Sequence, residues 1–221
     1  MLKVWFDDPL DHTQLIKEMI TEGNLKGVKD VKNADIAIMA GMSEIDPAIY
    51  GQEALYGGTF NPSATEFYDW FWKNTDGLVR VGIGTASHYL NVKSGGGMIQ
   101  RINNHMCDHL LEITDQPHRK IWVSSRHKAQ MTPGSKAQVI GYVSEGKFLA
   151  TEKQTETMKW ERGDNSVHHT MFSKDYEVLW YPETRCLCWQ PVFLKGVTVR
   201  TQYGFFFEVL DAIMESKKCA A

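Results

Sequence analysis

The chain of 221 residues lacks a disulfide framework. Its four cysteines, Cys107, Cys186, Cys188 and Cys219, have no spacing that would staple a small secreted fold, and the pair at 186 and 188 is too close for a comfortable bridge on a strand. A reducing cytoplasm is the expected compartment. No window approaches 18 apolar residues, and the opening run (Leu2, Val4, Phe6) reads as a strand, not as a basic segment followed by an apolar leader. Membrane insertion and secretion are both disfavoured. Charge of one sign is also missing: 24 Lys and Arg face 27 Asp and Glu, a formal net charge of −3. The bases are scattered without a run along one face, so nucleic acid is not the expected partner. No internal repeat or linker divides the chain, which points to one domain over residues 1–221.

Hydrophobic residues make up 43% of the chain, with seven tryptophans and ten phenylalanines, enough to bury a sizeable core without staples. Residues 2–6 read as a first strand, and Leu10, Leu15, Ile16, Met19 and Ile20 then recur at helical spacing up to Gly23. A short strand is expected at 28–31 and a strand buried on both faces at 34–40, ending on Gly41. A helix follows at 63–73. The run at 78–83 breaks at Gly82-Ile83-Gly84 directly into a helical pattern (His88, Tyr89, Val92) that stops on the glycines at 95–97. Strand runs then accumulate near 110–113, 120–124, 137–143, 147–150, 176–181 and 185–193. Residues 151–170 are polar and aperiodic and read as an exposed loop or hairpin, and a last helix covers 203–215. This order predicts an α/β fold: a flavodoxin-like three-layer sandwich with a mainly parallel central sheet and an antiparallel extension.

Three stretches resemble the class I glutamine amidotransferase superfamily, nearest to its γ-glutamyl hydrolase-like branch and to versions carried by large tailed bacteriophages. Residues 82–100, G-I-G-T-A-S-H-Y-L-N-V-K-S-G-G-G-M-I-Q, are similar to the family's elbow segment, with Leu90-Asn91-Val92 and Gly95-Gly96 in place. Gly41 and the run Asp46-Pro47-Ala48-Ile49-Tyr50-Gly51 are similar to its glycine loop. Ser124-Ser125-Arg126-His127 resembles a substrate-side S-x-H element, and residues 181–190 resemble the strand leading to the catalytic histidine. The departures fall on the chemistry. Gly84 stands at the nucleophile position. Where the family has H-P-E, preceded by one residue, this chain has Pro191, Val192, Phe193 and Leu194, and no His, Asp or Glu occurs from 186 to 199. Cysteine attack on an amide needs a thiolate, a histidine to form it and a carboxylate to orient that histidine. The resemblance therefore implies a degenerate member, a pseudoenzyme without catalytic residues or cofactor.

Other sites are weaker. Gly82 to Ser87 imitates a dinucleotide fingerprint, but the acid expected about 20 residues on would fall among Ile102, Asn103 and Asn104. His105, Cys107 and His109 alternate and would share one face of a strand, yet three ligands on one short strand rarely close a tetrahedron, so no metal is expected. Cys186 and Cys188 read as small core residues on one strand face. What survives is a backbone site. The amides of Thr85 and Ala86 at a helix N-terminus, following the elbow at Gly84 and with Gly41 and Met42 opposite, would converge on a carboxylate or phosphate, and His88, Ser125 and His127 would line the pocket. The leading reading is thus a degenerate amidotransferase-like protein of the cytoplasm (the host's, if of phage origin) that binds a small carboxylate or anionic ligand or a protein partner, or assembles as a homo-oligomer. The runner-up is an active amidotransferase or γ-glutamyl hydrolase with a relocated or partner-supplied nucleophile. The third is a structural or interaction subunit with a collapsed pocket.

Overall fold

In the computed structural model the described residues are 1–7, 21, 25–41, 43–54, 60–100, 108–125, 129–144, 157–162, 165–170, 174–193 and 198–219. The first half alternates strands and helices. Strand β1 (Lys3–Asp7) lies between β2 (Lys26–Gly27) and β3 (Ile36–Gly41), with β4 (Val79–Gly84) beyond β3, all parallel. The strand β13 (Cys186–Trp189) adds to β4, again parallel. The order β2-β1-β3-β4-β13 is that of a doubly wound flavodoxin-like sheet, with the fifth place filled from far along the chain. Past β13 the sheet turns antiparallel through β12 (Lys174–Tyr181), β9 (Gln138–Ser144), β6 (Asp108–Ile113) and β7 (Gln116–Ser124). Two short strands, β5 (Gly97–Ile99) and β8 (Gln130–Thr132), join at β12. The expected mixed sheet is present.

Helices cover both faces. The helix α1 (Pro62–Asn74) starts with Asn61 accepting from the Ser63 amide and with Pro62 in its first turn, where a missing N–H costs nothing. Together with α2 (Thr85–Lys93) it packs on one face, burying Tyr68, Phe71, Ala86, Tyr89 and Leu90 against Met39, Leu179, Cys186 and Cys188. The long helix α3 (Thr198–Cys219) covers the other face with Tyr203, Phe206, Leu210 and Ile213 over Val81, Leu187 and Trp189. Trp189 meets Phe206 edge-on, with ring centroids 5.0 Å apart, and stacks on Phe193, arrangements that the ring quadrupoles favour.

Three sequence expectations shift. The short strand lies at Lys26–Gly27, not 28–31, because the Asp30 side chain accepts from the Lys32 amide and starts a 3-10 turn over Val31–Asn33. The strand expected at 185–193 ends at Trp189, and the last helix runs from 198 to 219. Within 151–170 the strands β10 (Thr157–Arg162) and β11 (Asn165–Thr170) pair antiparallel as a separate two-stranded sheet. The expected helix near 10–20 and the strand at 147–150 lie outside the described residues. Among the described residues no helix is long and apolar enough to cross a membrane.

Candidate functional site

The carboxyl ends of β3 and β4 set the site, since Gly41 and Gly84 are register partners there. Gly84 caps α2 with φ +62° and ψ −132°, a region open to glycine and costly for any residue with a Cβ. The turn is tied by the Ser87 hydroxyl, which donates to the Gly84 carbonyl at 2.6 Å. Gly41 is held by contact instead: a Cβ there would fall on the Ala86 amide nitrogen and within 2.7 Å of Thr85 Oγ1. The strand end and the first turn of α2 therefore meet backbone to backbone. The Thr85 hydroxyl finds no hydrogen-bond partner among the described residues. After β3, Asp46 accepts from the Ala48 amide and opens a 3-10 turn, Pro47–Tyr50, which Gly51 closes at φ +74°.

Opposite the elbow lies the segment after β13. A Cβ placed on Gly84 would sit 3.3 Å from Val192 Cγ1 and 3.5 Å from the Gly41 carbonyl oxygen. Val192 is pinned at both ends of its peptide: its N–H donates to the Ser124 carbonyl at 2.8 Å, and its carbonyl accepts from Gln202 Nε2 at 3.3 Å. Next to it Phe193 is buried in an aromatic stack, its ring 4.7 Å from that of Tyr203. These neighbours carry no acid or base.

Behind this segment is a polar group that the sequence did not announce. Ser125 Oγ donates to Glu177 at 2.9 Å, and His109 Nε2 lies 3.1 Å from the same carboxylate; all three residues are fully buried. The hydroxyl and the imidazole thus meet at the same carboxylate oxygen, Oε1 of Glu177. Such a group is costly to bury and rigid once satisfied. Its trace in the sequence was two acids, Asp175 and Glu177, in a strand that otherwise reads as apolar and aromatic.

Cys186 and Cys188 are both fully buried on β13, and burial pushes both thiols up, Cys188 well above its ordinary value. A thiolate is correspondingly scarce at neutral pH.

No protein-family model matches the sequence, and no curated protein does. Solved structures match over the full length. A protein of Thermoplasma acidophilum provisionally described as one component of GMP synthase superposes with a TM-score of 0.60 at 10% identity, over 99% of this chain and 98% of that one. A glutamine amidotransferase of Thermotoga maritima gives 0.53 at 11% identity, over 98% and 85%. The fold is that of glutamine amidotransferases. At this identity the likeness extends to architecture alone.

Within the amidotransferase fold, the structure brings together Gly41, Gly84, Thr85 and Ala86 as the motif spacing implied. His88 lies on α2 beneath the elbow and is only 1% exposed, as a core histidine would be. The Ser125 hydroxyl donates to Glu177. Met42, His127 and Leu194 lie outside the described residues, as do His105 and Cys107; among the described residues no three His, Cys, Asp or Glu side chains are placed to share a metal ion. Leu90-Asn91-Val92 and the glycines after it form a latch. Asn91 Nδ2 donates to the Gly97 carbonyl at 2.7 Å, Asn91 Oδ1 accepts from Tyr181 at 2.6 Å, and the Tyr181 oxygen accepts the Gly134 amide.

Proposed function

We propose that this chain is a catalytically degenerate protein of the amidotransferase fold, which acts by binding a small carboxylate or other anion at the elbow or by binding a protein partner. One observation carries the reading: the positions that face each other at the elbow are Gly84 and Val192. In the motif alignment these are the places of the nucleophile and its base, and here a valine methyl group faces the glycine. The buried Phe193 beside Val192 and the raised thiols of Cys186 and Cys188 count against a relocated nucleophile. The kept elbow counts toward binding, because backbone amides at a helix N-terminus favour negative charge whatever the side chains are.

The test is a thermal-shift screen with L-glutamate, other carboxylates and inorganic phosphate. A ligand at 100 times its Kd stabilises the fold by about 2.7 kcal/mol. Thr85 is the first helical residue of α2, a position that accepts proline without breaking the helix. Thr85→Pro therefore removes one converging amide and little else, and it abolishes the shift. A stabilising ligand whose effect survives Thr85→Pro overturns the backbone site. Release of ammonia from glutamine by the wild-type chain overturns the degenerate reading as a whole.

A further inference from the structure

The hairpin β6–β7 ends the sheet, and among the described residues a helix covers only one of its faces. His109, Leu111, Ile113, Ile121 and Val123 point toward α3 and are buried. Leu110 and Trp122, which are register partners, point the other way and are 37% and 49% exposed. They are two of the few large apolar side chains left exposed in the described residues. The flanking register pairs are polar. Lys120 Nζ contacts Glu112 at 2.7 Å on the same outer face, and Asp108 accepts at 2.6 Å from Ser124, which is itself buried. The face thus has an acidic row on β6 (Asp108, Glu112), a basic residue on β7 (Lys120), and an aliphatic–aromatic pair between them.

We infer that this face is a two-fold interface with a second copy of the chain. A dyad parallel to the strands and midway between β6 and β7 lays each β6 over the β7 of the other copy at the same level. Residues that are cross-strand partners within one chain then become partners between chains. Leu110 meets Trp122 of the other copy, and Glu112 meets Lys120. Every pairing is complementary and is repeated by symmetry, as an isologous contact requires. Pairing the two β7 strands edge to edge would instead bring Lys120 near Lys120, which disfavours that arrangement. The charge pattern therefore selects both the occupant and the geometry.

Sedimentation or light scattering across a concentration series on the full chain tests this. The wild-type chain is a dimer. Trp122→Glu, checked for folding by circular dichroism, raises the dimer dissociation constant by roughly thirtyfold or more, the effect of losing a buried aromatic anchor. Glu112→Lys weakens the dimer, because a lysine then faces Lys120 of the other copy. The double exchange Glu112→Lys with Lys120→Glu restores the homodimer but does not mix with tagged wild-type chain, since both contacts of a mixed pair then face like charge, Glu against Glu and Lys against Lys. A wild-type chain that stays monomeric at the highest concentration reached, a dimer unaffected by Trp122→Glu, or free mixing of the double exchange with wild type overturns the inference.

Discussion

Placing a thiol at residue 84 is the sharpest test of the elbow. In Gly84→Cys the new Cβ meets Val192 Cγ1 at 3.3 Å, tight but tolerable, so crowding is the smaller cost. The backbone is the larger one: φ +62° with ψ −132° is nearly closed to a side chain, which costs about 1–3 kcal/mol. For a domain of this size each kcal/mol moves Tm by about 2–4 °C, so calorimetry should show a fall of about 2–12 °C. The thiol gains no base, because its nearest neighbours are a valine methyl and a backbone carbonyl. Glutaminase activity of the single variant stays at background. Adding Val192→His places an imidazole against the thiol, and the thiolate fraction at pH 7, read as the rate of iodoacetamide alkylation, rises roughly tenfold or more over the single variant. An unchanged Tm would mean that the turn is not strained. Glutamine hydrolysis by Gly84→Cys alone would reveal a base that the described residues do not contain.

Two further outcomes follow from the buried polar groups. Glu177→Ala removes the carboxylate to which Ser125 donates and beside which His109 lies and destabilises the fold by about 3–5 kcal/mol in urea titrations, whereas Glu177→Gln, which still accepts from Ser125, costs clearly less; equal losses would show that the Ser125 hydrogen bond contributes nothing. Burial raises Cys186, Cys188 and Tyr181, the tyrosine to about 12, so the unfolded chain sheds these protons before the folded one. Stability is therefore full below about pH 8.5 and falls as pH climbs toward 12, and a flat alkaline profile would contradict the burial of these groups.

The centre of the parallel half of the sheet was legible because the runs at 36–41 and 79–84 are mostly apolar and end on glycine. The tight turn into α2 was equally plain. The antiparallel extension was harder, since its order depends on long-range pairing: β13 lies between β4 and β12, and nothing local fixes that placement. At the site the backbone part was legible, Gly41, Gly84, Thr85 and Ala86 being set by turn chemistry. The side chains were not. Ser125 looked like a pocket residue because its partner Glu177 is 52 positions away, and no spacing rule reaches that far. His109 looked like one member of an alternating metal set, and is instead turned to a carboxylate on another strand.

The Asn91 latch bears on how such chains are recognised. One asparagine side chain ties the end of α2 to Gly97 and Thr132 and, through Tyr181, to Gly134, so the segment that most resembles an amidotransferase motif is occupied with joining helix to sheet. Its residues answer to architecture and are indifferent to whether residue 84 carries a thiol. A search pattern built on that segment would collect workers and idlers alike. Sorting them takes the two positions facing each other across the elbow, here a glycine and a valine.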